Sequence, residues 1–476
     1  MRRSVLCAAL TIVLSVSGCT ERVDGQAVSV FADPFKVAGM PATDGPTGLR
    51  ENPNPPTRTV EGTDHGQIDL IGAQSVSDIE QYWEYAFADL TTGTFSPVGT
   101  VYSWDARQYA GQFCTSDTYG LVNAGFCRVD DSIGWDRGVL FPALRKTYGD
   151  MAITMVLAHE YGHAVQKQAQ LVGRSTPVLV AEQQADCLSG AYMRWVAEDR
   201  SPRFTLSTGD GLNDLLLTMI SFRDPLLSEA DVAAGGTGDE HGSAFERISA
   251  FQFGFTDGPS VCASIDAQEI KARRGNLPHE LQQNQTGNWP VTEESIRAVF
   301  DAMTILFPLD KPPTMSTQAS DAATCSDARP SSPASFCPAT NTIYVDVPGM
   351  QKLGTRADDV STLSGDNTAY SVLMSRYLLA LQQQQGLSLD RAETALRTAC
   401  LTGVATAKLA PGVDTPGGHT LKLAAGDLDE AVAGLLANGL VASDTNGDTI
   451  AAGFSRIAAF RAGALGDQGL CLRRYQ

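Results

Sequence analysis

The chain has 476 residues, with 54 acidic and 35 basic side chains that give a formal net charge of −19 at pH 7. This length suffices for two domains of about 200 residues, each able to bury an ordinary core. So negative a charge argues against nucleic acid as a partner and against electrostatic attachment to anionic lipid.

The N-terminus predicts export followed by lipid attachment. Two arginines precede an apolar run over residues 5–16, and small residues lead to Cys19. This pattern is typical of a lipoprotein signal peptide over residues 1–18, after which Cys19 becomes the first mature residue and receives lipid such as palmitate. The alternatives are an ordinary cleaved signal or a short membrane anchor, but the run is too short for a comfortable transmembrane helix. Acyl chains are therefore expected to hold the protein on the extracytoplasmic side of the cell membrane.

Composition sets the expected domain boundaries. Residues 19–65 are polar and rich in proline and glycine, which predicts a disordered tether. A polar stretch around residues 282–285 predicts a linker over residues 266–290. The two domains then cover residues 66–265 and 291–476.

Helical patterns dominate both predicted domains. Apolar spacing predicts helices over residues 78–89, 143–168, 180–199, 294–307, 368–385 and 389–402. Short β-branched runs, such as residues 342–347, predict a small sheet near each cleft. The expected fold class is α+β and mostly helical.

The most informative motif is His159-Glu160-Tyr161-Gly162-His163, which has the form His-Glu-x-x-His. Residues i and i+4 share one face of a helix, so His159 and His163 can bind one metal ion while Glu160 lies beside it. The alternative is an amphipathic helix that carries two incidental histidines. The pattern favours a zinc site, because imidazole pairs at this spacing are common zinc ligands.

A catalytic zinc site needs a third protein ligand, and the chain offers Glu182 downstream. Asp186 lies one helical turn further on, where it is suited to accept the second ring N–H of His159 or His163. An isolated Glu-x-x-x-Asp would be a solvated acidic face, but its position about twenty residues after the histidines favours the metal site.

Together these segments resemble the bacterial neutral zinc metallopeptidase family, whose members are gluzincins with glutamate as the third ligand. The resemblance covers roughly residues 76–265. It rests on His159 to Gln166, on Glu182 to Cys187, on His241 to Arg247 with Phe251, Gly254, Phe255 and Cys262, and on Phe126 to Ile133. The chain departs from the family's commoner pattern at Arg128 and Ala164, neither of which is a ligand. The resemblance implies a zinc-dependent hydrolase that cleaves peptide bonds.

The chain also repeats itself. Cys114, Cys127, Cys187 and Cys262 recur with similar gaps as Cys325, Cys337, Cys400 and Cys471. Arg247 and Phe251 recur as Arg456 and Phe460. These matches predict that one domain has been duplicated.

The second copy has lost the metal ligands. His159, Glu160 and His163 align with Ser375, Arg376 and Leu379, while Glu182 and Asp186 align with Ala395 and Ala399. Serine, leucine and alanine cannot build a zinc site. We infer that the residues replaced together in the second copy share a chemical role. Those present in both copies then have a structural role.

His241 belongs to the chemical set by the same comparison, since it aligns with Ile450 while its neighbours persist. In metallopeptidases of this kind, a histidine across the cleft donates a hydrogen bond to the oxyanion formed during peptide hydrolysis. We therefore expect His241 to be such a donor; the alternative is a polar loop histidine. Arg247 is present in both copies, which favours a buried pair with a carboxylate.

These residues predict a membrane-anchored zinc metallopeptidase acting on peptide or protein substrates. One Zn²⁺ in the first domain activates a water molecule, and Glu160 takes its proton as general base. The alternative is a non-catalytic lipoprotein with structural zinc, whose degenerate repeat binds a partner or serves as a scaffold. Glu160 favours the peptidase, since a structural zinc site has no need of a general base.

The eight cysteines that follow Cys19 predict disulfides, which persist in an extracytoplasmic compartment. Four cysteines in each repeat allow three connectivities. Pairing that recurs within each repeat favours Cys114 with Cys127, Cys187 with Cys262, Cys325 with Cys337, and Cys400 with Cys471. A cysteine zinc site is the alternative, but the spacings are not those of Cys-x-x-Cys pairs.

Overall fold

The computed structural model describes residues 32–224, 241–281, 287–357 and 363–476. The predicted signal peptide and Cys19 lie outside these residues. The described chain is α+β and about half helical, which agrees with the expected class. None of the helices in these ranges is long and apolar enough to cross a membrane.

The N-terminal half combines short strands with long helices. In chain order its elements are β1 (Lys36–Val37), β2 (Met40–Pro41), β3 (Gly48–Leu49), β4 (Val60–Glu61), α1 (Gln67–Ala86), β5 (Thr100–Trp104), β6 (Gln112–Phe113), β7 (Ser116–Asp117), β8 (Ala124–Cys127), β9 (Ser132–Asp136), α2 (Leu140–Tyr148), α3 (Asp150–Ala169), α4 (Val178–Ala197), β10 (Phe204–Thr205), α5 (Asp210–Ser221), α6 (Ala244–Asp257) and α7 (Ala267–Arg274).

A four-stranded sheet, in the order β4-β5-β9-β8, supports one side of the site. β8 is an edge strand and runs antiparallel to β9, whereas β4, β5 and β9 are parallel. Asp69 of α1 ties this helix to the sheet, because its carboxylate accepts hydrogen bonds from Trp135 Nε1 at 3.0 Å and Ser103 Oγ at 2.9 Å. The sheet thereby holds β8 beside α3.

The segment before α1 is folded onto this half. β3 pairs with β10, and β4 pairs with β5. Val37 is fully buried, and the Arg50 side chain donates to the Ser201 carbonyl at 2.9 Å. The predicted disordered tether is therefore wrong over residues 36–61. These residues are fixed by backbone pairing with later strands, and such pairing leaves no periodic signal in a segment rich in proline and glycine.

The C-terminal half, like the N-terminal half, combines short strands with helices. Its elements are α8 (Glu293–Leu306), β11 (Thr314–Ser316), β12 (Ala334–Cys337), β13 (Thr342–Val345), α9 (Val347–Leu353), α10 (Asp366–Gln384), α11 (Ala392–Lys408), β14 (Val413–Asp414), β15 (Thr420–Leu421), α12 (Asp427–Ala437), α13 (Gly453–Ala464) and α14 (Gln468–Arg474). β13 pairs in parallel with β11 and antiparallel with β12, as β9 pairs with β5 and β8.

Several boundaries differ from the predicted ones. The pattern over residues 143–168 is two helices, α2 and α3, because Gly149 between them has φ +81°, a left-handed conformation that interrupts the helix. The predicted linker over residues 266–290 contains α7. Asp266 begins that helix by accepting the N–H groups of Gln268 and Glu269, each at 2.8 Å.

Glycines allow α4 and α6 to cross at close range. A Cβ on Gly254 would collide with the carbonyl oxygen of Cys187, and a Cβ on Gly190 would collide with that of Phe251. α11 and α13 cross in the same way, through Gly403. Each crossing therefore depends on backbone contact that a side chain would prevent.

The structure confirms the predicted disulfide pairing. The bonds are Cys114–Cys127, Cys187–Cys262, Cys325–Cys337 and Cys400–Cys471. The second bond joins α4 to the short 3₁₀ helix that follows α6, and the fourth joins α11 to α14. The α4–α6 and α11–α13 crossings are thus each accompanied by a covalent link.

Candidate metal centre

Two helices bring the predicted metal ligands together. α3 presents His159 and His163 one turn apart, and α4 presents Glu182. The two helices approach closely at Gly162, where an added Cβ would lie 3.1 Å from the Cα of Ala185. The small residues at this point allow the histidines and the glutamate to meet.

The donor atoms converge on one point. His159 Nε2 lies 3.0 Å from Glu182 Oε2, and His163 Nε2 lies 3.4 Å from Glu182 Oε1. One donor atom from each of the three residues lies within 4.8 Å of the other two. Two imidazole nitrogens and a carboxylate oxygen at these separations fit a zinc ion, which binds such donors at about 2.0–2.2 Å.

A buried carboxylate orients the first histidine. Asp186 Oδ1 lies 2.8 Å from His159 Nδ1, and the fully buried Asp186 also accepts two hydrogen bonds from Arg247, at 2.7 and 2.9 Å. A carboxylate that accepts the Nδ1 proton leaves Nε2 as the metal-binding nitrogen. Asp186 and Arg247 therefore lie where the sequence predicted them.

Gln166 orients the second histidine in a similar way. Its side-chain oxygen lies 3.0 Å from His163 Nδ1, and its amide nitrogen donates to Gln184 Oε1 at 3.3 Å. Gln166 ends a segment that carries the family resemblance, but the sequence alone predicted no role for it at the site. The available signal was its position on the helix, one turn after His163.

The field at the site favours positive charge. Burial disfavours the charged form of His159, but the neighbouring Asp186 and Glu182 raise the pKa of this imidazole to about 10. Burial likewise disfavours the charged form of Glu182, yet hydrogen bonds from His159 and His163 hold the pKa of its carboxyl well below its usual range. One carboxylate within the donor cluster, Glu182, and one beside it, Asp186, thus favour a cation there.

Glu160 lies beside the donors and is half-buried. Its Oε2 accepts the backbone N–H of Phe126 on β8, at 3.2 Å. It lines a cavity of about 230 Å³ together with His159, His241 and Arg247. The rest of the lining is mostly apolar and includes Leu140, Met155, Val156, Met219 and Phe222. A carboxylate that borders both the donor cluster and this cavity can exchange a proton with a molecule bound there.

His241 lies next to the donor cluster and lines the same cavity as Glu160. Its Nε2 is 3.9 Å from Glu182 Oε2, and its Nδ1 is 3.1 Å from Asp224 Oδ1. The backbone N–H groups of His241 and Gly242 also donate to Asp224 Oδ2, at 2.8 and 2.7 Å. The hydrogen bond to Asp224 raises the pKa of His241 against the opposing effect of burial. Asp224 was not identified from the sequence, because its distance along the chain from His241 follows no helical or strand period.

A second group of metal-binding residue types lies in the C-terminal half. Cys325, Asp327 and Cys337 come within ligand range of one another. Their cysteines form a disulfide bond, so the sulfur atoms are not thiolate ligands. Within the described ranges, His159, His163 and Glu182 are the one donor cluster of this kind without such a bond.

Comparisons with known proteins leave the family open. No protein-family model matches the chain, and no solved structure matches it. Three uncharacterized proteins are similar, one from Mycobacterium bovis and two from strains of Mycobacterium tuberculosis. Each is 28% identical to the chain over 186 residues, a match that covers 34% of this chain and 63% of the relative. The chain thus spans less than two thirds of the length of these relatives, and their names state no activity.

Proposed function

We propose that this protein is a zinc-dependent metallopeptidase that resembles the bacterial neutral zinc metallopeptidases. The observation that carries the proposal is the convergence of His159, His163 and Glu182. His159 and the adjacent Glu160 also line a cavity of about 230 Å³. A zinc ion held by these three ligands would supply Lewis-acid activation of water and of a peptide carbonyl.

Glu160 acts as the general base in this proposal. Its Phe126 hydrogen bond orients the carboxylate, which lies next to the donor cluster without being part of it. The carboxylate accepts a proton from the attacking water and returns it to the departing amine nitrogen. His241 faces the same space and donates a hydrogen bond to the carbonyl oxygen as negative charge develops on it.

The neighbouring sheet edge fits an extended peptide substrate. β8 ends the sheet, and Asn123 and Ala124 at its start line the cavity with Glu160. An edge strand offers backbone N–H and C=O groups to a segment that binds alongside it, apart here from the Phe126 N–H, which donates to Glu160. The apolar cavity then accommodates an apolar side chain of that segment, which sets a preference for such residues next to the cleaved bond.

Duplication of one domain accounts for the likeness of the two halves. It is supported by the matching disulfides, the matching glycine crossings and the matching order of strand pairing in the two small sheets. Arg376, which aligns with Glu160, is fully buried and donates to the carbonyls of Ala334 and Leu440 and to Ser443 Oγ. A guanidinium thus fills the place where the first half has its general base, which leaves the second half a supporting or partner-binding role.

The proposed location is the extracytoplasmic face of the cell membrane, with lipid on Cys19. The four disulfides support an oxidising compartment. The alternative, a non-catalytic zinc lipoprotein that binds partners, gives Glu160 no chemical role beyond its hydrogen bond with Phe126.

The function is tested by digestion of an unfolded protein mixture, with the cleavage sites identified by mass spectrometry. Zinc-loaded protein is compared with chelator-treated protein and with chelator-treated protein to which zinc is returned. We expect cleavage that is lost on chelation, restored by zinc and concentrated next to apolar residues. Zinc binding without cleavage would favour the partner-binding alternative.

A further inference from the structure

The first turn of α6 links the C-terminal half to the metal site. This helix begins just after His241, and its fourth residue is Arg247. Arg247 holds Asp186, and Asp186 holds His159. A shift in the start of α6 would therefore move the proposed oxyanion donor, His241. It would also move the hydrogen-bonded pair Arg247 and Asp186 that orients His159.

Asp429 of the C-terminal half fixes this turn. Its carboxylate accepts the backbone N–H of Ala244 at 3.1 Å and that of Phe245 at 2.9 Å. The next backbone N–H, that of Glu246, donates to Ser243 Oγ at 3.2 Å. The two halves together thus satisfy the first N–H groups of α6, which otherwise have no partner within the helix.

The environment of Asp429 shows how closely this contact is packed. The residue is 3% exposed and lies in the first turn of α12. Burial raises the pKa of its carboxyl, while the two N–H groups and the nearby Arg223 act in the opposite direction. The positive ends of α6 and α12 meet at this carboxylate and partly offset the effect of burial, although the pKa of the carboxyl is still raised.

A reciprocal contact joins the halves through α5, at a residue outside the donor cluster and outside the lining of the cavity. Asn213 of α5 accepts the backbone N–H of Gly453, the first residue of α13, at 2.9 Å. α6 and α13 also pack directly, with the rings of Phe255 and Phe454 5.0 Å apart. Each half therefore caps a helix of the other, but only the helix capped by Asp429 carries site residues.

We propose that Asp429 is a positioning residue for the metal site, supplied by the half that has lost its own ligands. This inference rests on the proposed function of the first half. The C-terminal half then serves the reaction by holding α6, and through it His241 and Arg247, in register with the ligands on α3 and α4.

The experiment compares Asp429→Ala, Asp429→Asn and the matched control Asn213→Ala in the full-length protein. Three quantities are measured: the zinc dissociation constant by chelator competition, kcat and KM on an unfolded protein substrate, and the midpoint of thermal unfolding. Asp429→Ala and Asn213→Ala each remove a cap at the same interface, so both should lower the midpoint. Asp429→Asn keeps one oxygen that can accept a hydrogen bond from the first turn of α6. It replaces Asp429→Ala in the comparison if the alanine variant does not fold.

We expect Asp429→Ala to weaken zinc binding about tenfold and to lower kcat about tenfold. This is the lower end of the loss seen when a residue that supports a metal ligand by hydrogen bonding is removed. Asp429→Asn should recover part of both losses, and Asn213→Ala should change neither. Zinc affinity and kcat that are equal in Asp429→Ala, Asp429→Asn and Asn213→Ala would overturn the inference. If the parent binds zinc without cleaving, the peptidase proposal fails while zinc affinity still decides the role of Asp429; a parent that binds no zinc overturns both.

Discussion

At the scale of single residues, the three proposed zinc ligands have different neighbours and should respond differently to substitution. Glu182 is the one ligand whose carboxylate lies within 3.4 Å of both ligand imidazoles. It is also the only one of the three that carries a negative charge to offset the charge of a zinc dication, because the two imidazoles bind as neutral ligands. Glu182 is therefore the ligand on which the charge of the whole site depends.

Glu182→Ala should reduce bound zinc from a single ion per chain to trace amounts. The physical reason is the loss of a charged ligand from a set of three. Metal analysis of purified protein measures the change, and the exposed Glu84→Ala is a control for the loss of one negative charge. Undiminished zinc in Glu182→Ala would show that another residue completes the site.

His241→Phe should lower kcat about 10²–10³-fold while zinc stays bound. A donor that stabilises a developing oxyanion contributes roughly 2.7–4 kcal/mol to the transition state, and phenylalanine keeps the ring but not the N–H. Steady-state kinetics measure the loss, with the exposed His279→Phe as the matched control. Unchanged kcat in His241→Phe would exclude the role.

The sequence identified these residues where chemistry imposes a spacing. His159 and His163 are one turn apart, the spacing at which both can reach one ion. Asp186 is one turn from Glu182, the spacing at which one carboxylate can reach the donor cluster while the other reaches His159 Nδ1. Gln166 and Asp224 bind ring nitrogens just as directly, but a polar side chain that supports a histidine can come from any element. No sequence period therefore marks Asp224.

At the scale of elements, the close crossing of α4 and α6 sets the distance between Glu182 and Arg247. The backbones touch at Gly190 and Gly254, and the disulfide Cys187–Cys262 closes the same region. Even one added methyl group must push the helices apart. The crossing thus couples the packing of two helices to the geometry of the site.

Gly254→Ala should lower the free energy of unfolding by at least about 1–3 kcal/mol, since overpacking of a rigid contact costs this much and here the opposing atom is backbone. Denaturant unfolding measures the change. Gly173→Ala, at a position with open space around the added Cβ, is the control and should be close to neutral. An equally stable Gly254→Ala protein would show that the helices can separate freely.

Helix interiors were predictable and several helix boundaries were not. Apolar spacing indicated α4, α8 and α10 within a few residues. Apolar spacing did not predict the break between α2 and α3. Gly149, whose φ is positive, interrupts the helical backbone there without interrupting the apolar pattern. Similarly, β3 and β4 exist only through pairing with distant strands, so their short sequences predicted a tether.

At the scale of the whole molecule, buried carboxyl groups in the C-terminal half link stability to pH. Burial raises the pKa of Asp366 to about 6, of Asp427 to about 8 and of Glu430 to about 9. The folded chain therefore retains protons that the unfolded chain releases above about pH 4. Stability from these groups is complete below the unfolded pKa values and is lost as pH rises towards the folded ones.

The free energy of unfolding should accordingly fall between pH 5 and pH 9, by up to about 1.4 kcal/mol per pH unit for each group that titrates. Urea unfolding across this range measures the slope. Glu430→Gln removes one titrating group and keeps an acceptor for the Asn367 N–H, so it should flatten the curve. A slope that is identical in the two proteins would exclude Glu430 as its source.

The central claim is that Glu160 transfers the proton for zinc-dependent peptide hydrolysis. The most direct measurement compares turnover by parent and Glu160→Gln proteins prepared with equal zinc content. Glutamine keeps the size of the side chain and an acceptor for Phe126 but cannot act as a base, so the account predicts that zinc is retained while kcat falls at least about 10²-fold. Equal turnover by the two zinc-loaded proteins, or no turnover by either, would contradict it.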